Sequence, residues 1–190
     1  MANKARERLI ASTIELQRRN GVAGMGINDV VAHSGAARRS IYLHFPDGKD
    51  QLVAEATSVA GGFIGHVIDE VASSASPGDA LRAFGEMWRA VLVDSDFRAG
   101  CPVAAGALAG PASPTAPGAA GRSFNSWIEG IERALTAAGM PKRSAQSLAV
   151  VAVSAVEGAI LLCISTRSTD PLDTVIAHLA AAVSEHLPTS

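Results

Sequence analysis

Arg38, Arg39, Ser40, Tyr42 and His44 set two guanidinium groups, a hydroxyl, a phenol and an imidazole on one short stretch, with Lys49 just beyond. Arginine presents its donors as a planar fork that matches guanine edges and phosphates. The stretch lies within two short helical segments on either side of Ser34-Gly35-Ala36. The first holds Ile27, Val30 and Val31, the second Ile41, Tyr42 and Phe45. A tight turn between crossing helices needs a left-handed residue, which Gly35 supplies cheaply. Ile41 falls where a helix-turn-helix buries an aliphatic chain against its first helix. Arg38, Arg39 and Ser40 then project from the turn that enters a major groove. Outside that pattern the same arginine pair reads as ordinary solvated surface.

Other reactive groups are sparse. Cys101 and Cys163 make no disulfide framework and have no metal-ligand spacing, so neither a metal nor a cofactor is expected. Cys101 with His66 or His178 could form a thiol nucleophile and base, but no orienting partner or oxyanion loop accompanies them. Phe63, Phe84, Trp88, Phe97, Phe124 and Trp127 hold most of the aromatic residues. With His66, Arg89, Cys101, Asn125 and Glu157 as polar contacts, they suit a cavity for a planar hydrophobic ligand. Ordinary core packing accounts for the same spacing.

These groups must be positioned by a chain of 190 residues, 48% apolar and 18% charged, which is neither disordered nor fibrous. The net charge of −2 excludes a uniformly basic coat for nucleic acid, yet it hides an asymmetry. Residues 1–50 carry eight basic against five acidic side chains, and the remainder eight against thirteen. A basic head on a neutral-to-acidic body is the implied layout. The Arg-rich N-terminus lacks the apolar core of a secretory signal, so a cytoplasmic setting is expected. Leu148–Ile164 approaches the length of a membrane span, but Glu157 and many small residues favour a buried helix. An amphipathic membrane-surface protein is the remaining alternative, against which the apolar faces are only moderate.

Helical spacing predicts an all-α chain without a sheet. Leu9, Ile10, Thr13, Ile14 and Leu16 form a stripe ending at Asn20-Gly21. Asp47 and Asp50 open a helix with the face Leu52, Ala56, Val59, Phe63, Val67 and Val71. Ser76-Pro77-Gly78-Asp79 is a further start signal, followed by Leu81, Phe84, Trp88 and Val91. The proline- and glycine-rich stretch 100–121 predicts a short turn over Val103–Leu108 and then a mobile loop, with helix resuming at Phe124. A long apolar helix over Ser144–Ser165 follows. The last begins at Asp170-Pro171, carries Leu172, Val175, Leu179 and Val183, and stops at Pro188.

The run Gly35-Ala36-Ala37-Arg38-Arg39-Ser40-Ile41-Tyr42-Leu43-His44-Phe45-Pro46, with Lys49 and Leu52, resembles the TetR family of transcriptional repressors. Glycine turn, Tyr-x-x-Phe and a lysine opening the next helix occur together and in order over about residues 5–55. Val31 stands where the family usually has alanine, and Ala37 replaces the usual Ser or Thr cap, at about 1 kcal/mol of helix stabilisation. The insertion Pro46-Asp47-Gly48 and the segment Gly100-Cys101-Pro102-Val103-Ala104-Ala105 are similar to the LmrA/YxaF-like branch.

The resemblance implies a helix-turn-helix domain over residues 1–48 and a helical effector-binding and dimerisation domain over 49–190. It places Arg38, Arg39 and Ser40 at base edges of a double-stranded operator, and Tyr42, His44 and Lys49 at phosphates. Lys4, Arg6 and Arg8 form either a flexible DNA-reaching arm or a solvated terminus. A homodimer would supply two recognition helices about 34–36 Å apart. Its interface is expected on helices 144–165 and 171–187, through the small face Ala145, Ala149, Ala152, Ala155 and Ala159. A small hydrophobic or aromatic effector is implied, with Phe63, His66, Phe84, Trp88, Cys101, Phe124, Trp127 and Glu157 as candidate contacts.

Overall fold

The computed structural model describes residues 2–74 and 76–186. Among them the helices are α1 (Ala2–Asn20), α2 (Ile27–Ser34), α3 (Arg38–His44), α4 (Lys49–Ser74), α5 (Pro77–Asp94), α6 (Pro102–Ala107), α7 (Ala116–Ala137), α8 (Lys142–Thr166) and α9 (Asp170–His186). A 3₁₀ turn covers Gly110–Ala112, and no strand occurs among the described residues. Leu187 and Pro188, expected at the end of the last helix, lie outside them.

Packing divides the chain into two compact units, residues 1–62 with 100–123, and residues 63–99 with 124–190. In the first unit, α1 packs on α2, α3 and α6. Leu9, Val30, Ile41, Phe45, Leu52 and Val53 fill its core with almost no exposure. Gly21 and Gly35 end α1 and α2 with φ of 67° and 64°, the left-handed conformation that any side chain would strain. Asp29 Oδ2 accepts from the Gly26 N–H at 2.7 Å and so caps α2 in place of a Ser or Thr. In the second unit, α9 packs along α5 and α8. The Ser76 hydroxyl accepts from the Asp79 N–H, completing the start of α5 with Pro77 in its first turn.

Three expectations fail. The stretch after α6 is not a long mobile loop, because α7 begins at Ala116 with Pro117 in its first turn, where no intrahelical donor is lost. The buried face of α4 runs Leu52, Ala56, Ala60, Ile64 and Ile68, holding a constant spacing of four. Val59 and Phe63 fall outside that stripe and are exposed, Phe63 at 66%. The larger side chains there misplace the stripe, which continues through the small Ala60. Finally, Ala145, Ala149, Ala152 and Ala159 do not form an outer face, since all are buried within their own unit. Their small size lets α8 approach its neighbours, and Val150, Val151, Leu161 and Leu162 are left on the solvent side.

Candidate functional site

Gly35 and Ala36 carry the chain from α2 into α3, and the hydrophobic anchors of α3 fix its orientation. Ile41 and Phe45 are fully buried in the first unit's core. Helical phase then puts Arg39, Tyr42 and Leu43 outward, with Ser40 and His44 at the flanks, while Arg38, on the stripe of Ile41, is exposed as the first residue of the helix. Tyr42 is 48% exposed, so its phenol is available rather than spent on the core. His44 sits edge-on to Phe45, their ring centroids 6.4 Å apart. Ala37 caps α3 without a side-chain hydrogen bond. The short helix thus presents two exposed guanidiniums and a phenol, with the Ser40 hydroxyl half-buried beside them, groups that can donate to base edges and phosphates.

Arg38 is held by Asn28, a residue that no motif in the sequence marks. Arg38 Nη1 donates to Asn28 Oδ1 at 2.7 Å, tying the guanidinium to the first turn of α2. Arg39 is exposed beside it. Nothing in the sequence pairs Asn28 with Arg38 except the short turn that brings the two helix starts together.

Lys49, expected at a phosphate, is half-buried and has two backbone partners within its own unit. Its Nζ donates to the carbonyl oxygens of Val22 at 3.0 Å and Met25 at 2.6 Å, tying the start of α4 to the turn before α2. Gly48, just before α4, has φ of 68°. Arg6 is no flexible arm either. It lies within α1, pairs with Glu55 and sits 5.4 Å from the centroid of the Phe45 ring.

A second feature belongs wholly to the second unit. A cavity of about 100 Å³ is lined by α4, α5, α7, α8 and α9. Of the eight expected contact residues, Phe84, Trp88, Trp127 and Glu157 line it. Phe63, His66, Cys101 and Phe124 do not. Phe63 and His66 lie on the exposed side of α4, and Cys101 is buried in the first unit. Phe124 instead stacks edge-to-face on Trp127 at 5.1 Å. Most of the wall is aliphatic, including Ile64, Ile68, Ile131, Leu148 and Val156. Those residues recur at helical spacing and were legible only as core. Among the described residues no cluster of His, Cys, Asp or Glu could hold a metal ion.

Comparison with known proteins identifies the family of both parts of the chain. Residues 9–56 match the model of the bacterial regulatory proteins of the tetR family. Residues 77–178 match the C-terminal domain of LmrA/YxaF-like transcriptional regulators. An uncharacterised HTH-type transcriptional regulator of Mycobacterium tuberculosis is 38% identical, with 96% of each chain covered. The HTH-type transcriptional regulator LmrA of Bacillus subtilis is 27% identical, again with 96% of each covered. In three dimensions the fold is shared with a TetR regulatory protein of Rhodobacter sphaeroides, at a TM-score of 0.82, 21% identity, and 94% and 98% coverage. A TetR-family regulator of Agrobacterium tumefaciens superposes with a TM-score of 0.83, at 20% identity and 99% and 100% coverage. The chain therefore belongs to the TetR family, as a transcriptional regulator of the LmrA/YxaF-like branch and not an enzyme.

Proposed function

We propose that this regulator is a cytoplasmic repressor which binds a palindromic operator as a homodimer and is released by a small hydrophobic effector. One observation carries the reading. Arg39 and Tyr42 lie on the exposed side of α3 and Arg38 is exposed at its first position, while Ile41 and Phe45 are locked into the core. Arg38, Arg39 and Ser40 would read base edges, and Tyr42 and His44 would meet phosphates. DNA binding is assigned to residues 1–48, and effector binding and dimerisation to 49–190.

The dimer face is assigned to the outer side of α8, with Val150, Val151, Leu161 and Leu162 against the same residues of a second copy. α8 is long and apolar enough to cross a membrane. Its other side packs into its own unit through Ala145, Ala149, Val156 and Ile160. A second protein copy covering the remaining strip suits a soluble regulator.

The cavity supports effector binding because its lining is almost wholly apolar and comes from five helices. α4 supplies Ile64 and Ile68 to its wall and Leu52 and Val53 to the core beneath α3. An occupant that bound one position of α4 better than another would shift the balance between DNA-binding states.

Selection of duplexes from a random pool by the full-length protein, followed by footprinting, tests this reading. It predicts an enriched site with two dyad-related halves centred about 34–36 Å apart. A pool with no enriched sequence would reject it.

A further inference from the structure

We infer that Asn28 sets sequence specificity as a positioning residue: it holds the Arg38 guanidinium in the orientation that reads one base. This rests on the DNA-binding reading above and deepens it. The two side chains come from different helices, and Arg38 Nη1 donates to Asn28 Oδ1 at 2.7 Å. Both are exposed, Asn28 in the first turn of α2 and Arg38 at the first position of α3. The turn between the helices is itself fixed. Gly35 N–H donates to the Val31 carbonyl, and the Ser34 hydroxyl accepts from the Ala36 N–H.

A long arginine side chain without support gives up its rotamer freedom when it meets a base, and that loss weakens the contact. The bond to Asn28 removes much of the freedom before DNA arrives. It engages Nη1 and leaves the edge formed by Nε–H and Nη2–H, two parallel donors that match guanine N7 and O6. The chemistry of the partner matters as much as its place. The arginines of α1 face carboxylates, Arg6 at Glu55 and both Arg18 and Arg19 at Glu15. A carboxylate would offset the charge of Arg38, whereas the neutral Asn28 amide orients it and leaves that charge to the polyanion. Asp29, next in the chain, is turned to the Gly26 N–H instead.

The full-length protein tests this through selection from random duplexes with the wild type, Arg38→Ala, Asn28→Ala and Asn28→Asp. Fluorescence anisotropy at one salt concentration then follows operators changed one base pair at a time. Arg38→Ala identifies the base pair that Arg38 reads. At that pair Asn28→Ala should lose about three- to tenfold of the wild-type discrimination, the size of one hydrogen bond, with the other positions unchanged. Asn28→Asp keeps an acceptor and should restore the preference, while its charge weakens binding to every duplex alike. An Asn28→Ala variant that keeps full discrimination, or loses affinity equally at all positions, overturns the positioning role and leaves the DNA-binding reading standing. A preference that Asn28→Asp does not restore overturns it too. If Arg38→Ala alters no base preference, base reading by Arg38 fails, and the role of Asn28 with it. Should Asn28→Ala not fold, Asn28→Leu removes the acceptor at similar volume and is read in the same way.

Discussion

The Asp50 carboxylate, in the first turn of α4, accepts a hydrogen bond from the Ser113 hydroxyl at 2.6 Å. It also accepts the Thr115 N–H at 3.1 Å, so one side chain anchors the segment that leads into α7. Burial pushes the Asp50 carboxyl up, but the bonds from Ser113 and Thr115 outweigh it and hold the group below its ordinary value of 3.8. A depressed carboxyl adds stability that is present above its unfolded value and lost as pH falls through the folded one. Asp50→Asn should therefore cost about 1 kcal/mol near neutrality. The gap between variant and wild type should close as pH is taken below the ordinary carboxyl range. Denaturant melts across that range check this, and a gap that persists in acid would contradict it.

Neighbouring glycines of α4 should respond with opposite signs. A methyl on Gly61 would lie 2.0 Å from Ser123 Oγ and 2.5 Å from its Cβ, whereas one on Gly62 meets nothing within 4 Å. Gly61→Ala should destabilise by about 1–3 kcal/mol through overpacking. Gly62→Ala should stabilise by about 0.5–1 kcal/mol, because alanine is the better helix former. Thermal unfolding of the two variants side by side reads both signs.

Lys49→Met separates a structural lysine from a phosphate contact. Losing the bonds to Val22 and Met25 should lower stability by roughly 1–2 kcal/mol. The dependence of operator affinity on salt should stay the same. A lost phosphate contact would instead reduce the slope of log affinity against log salt by about 0.9. Titrations at several salt concentrations distinguish the two.

Leu161→Glu places a charge on the outer face of α8, where Leu161 is 65% exposed in the single chain. Folding should be untouched, as judged by helical circular dichroism. Sedimentation should fall from about twice the 19.4 kDa chain mass to the mass of one chain. A variant that still sediments as a dimer would place the interface elsewhere.

Much of this was legible in local chemistry. Gly35, Ile41 and Phe45 announce a helix-turn-helix because each is required by the geometry of a tight turn or a small core. Ser76 and Pro77 mark the start of α5 for similarly local reasons. What escaped depended on tertiary partners. The start of α7 is hidden behind Pro111, Pro114 and Pro117 until Asp50 is seen to hold Ser113 and Thr115. The direction of α8 could not be read from its alanines, since a small face serves close packing within a chain as well as between chains. Likewise, Phe63 and Phe84 look alike in sequence, and only helix phase puts one in solvent and the other on the cavity wall.

The central claim is that α3 reads bases through its arginines. Fluorescence anisotropy on the selected operator and on random duplex, for the wild type and the double variant Arg38→Ala with Arg39→Ala, tests it most directly. Each bidentate arginine contact is worth about 1–3 kcal/mol of discrimination. The double variant should remain folded and dimeric while its preference for operator over random DNA disappears. A double variant that still prefers the operator as strongly as the wild type would contradict the account.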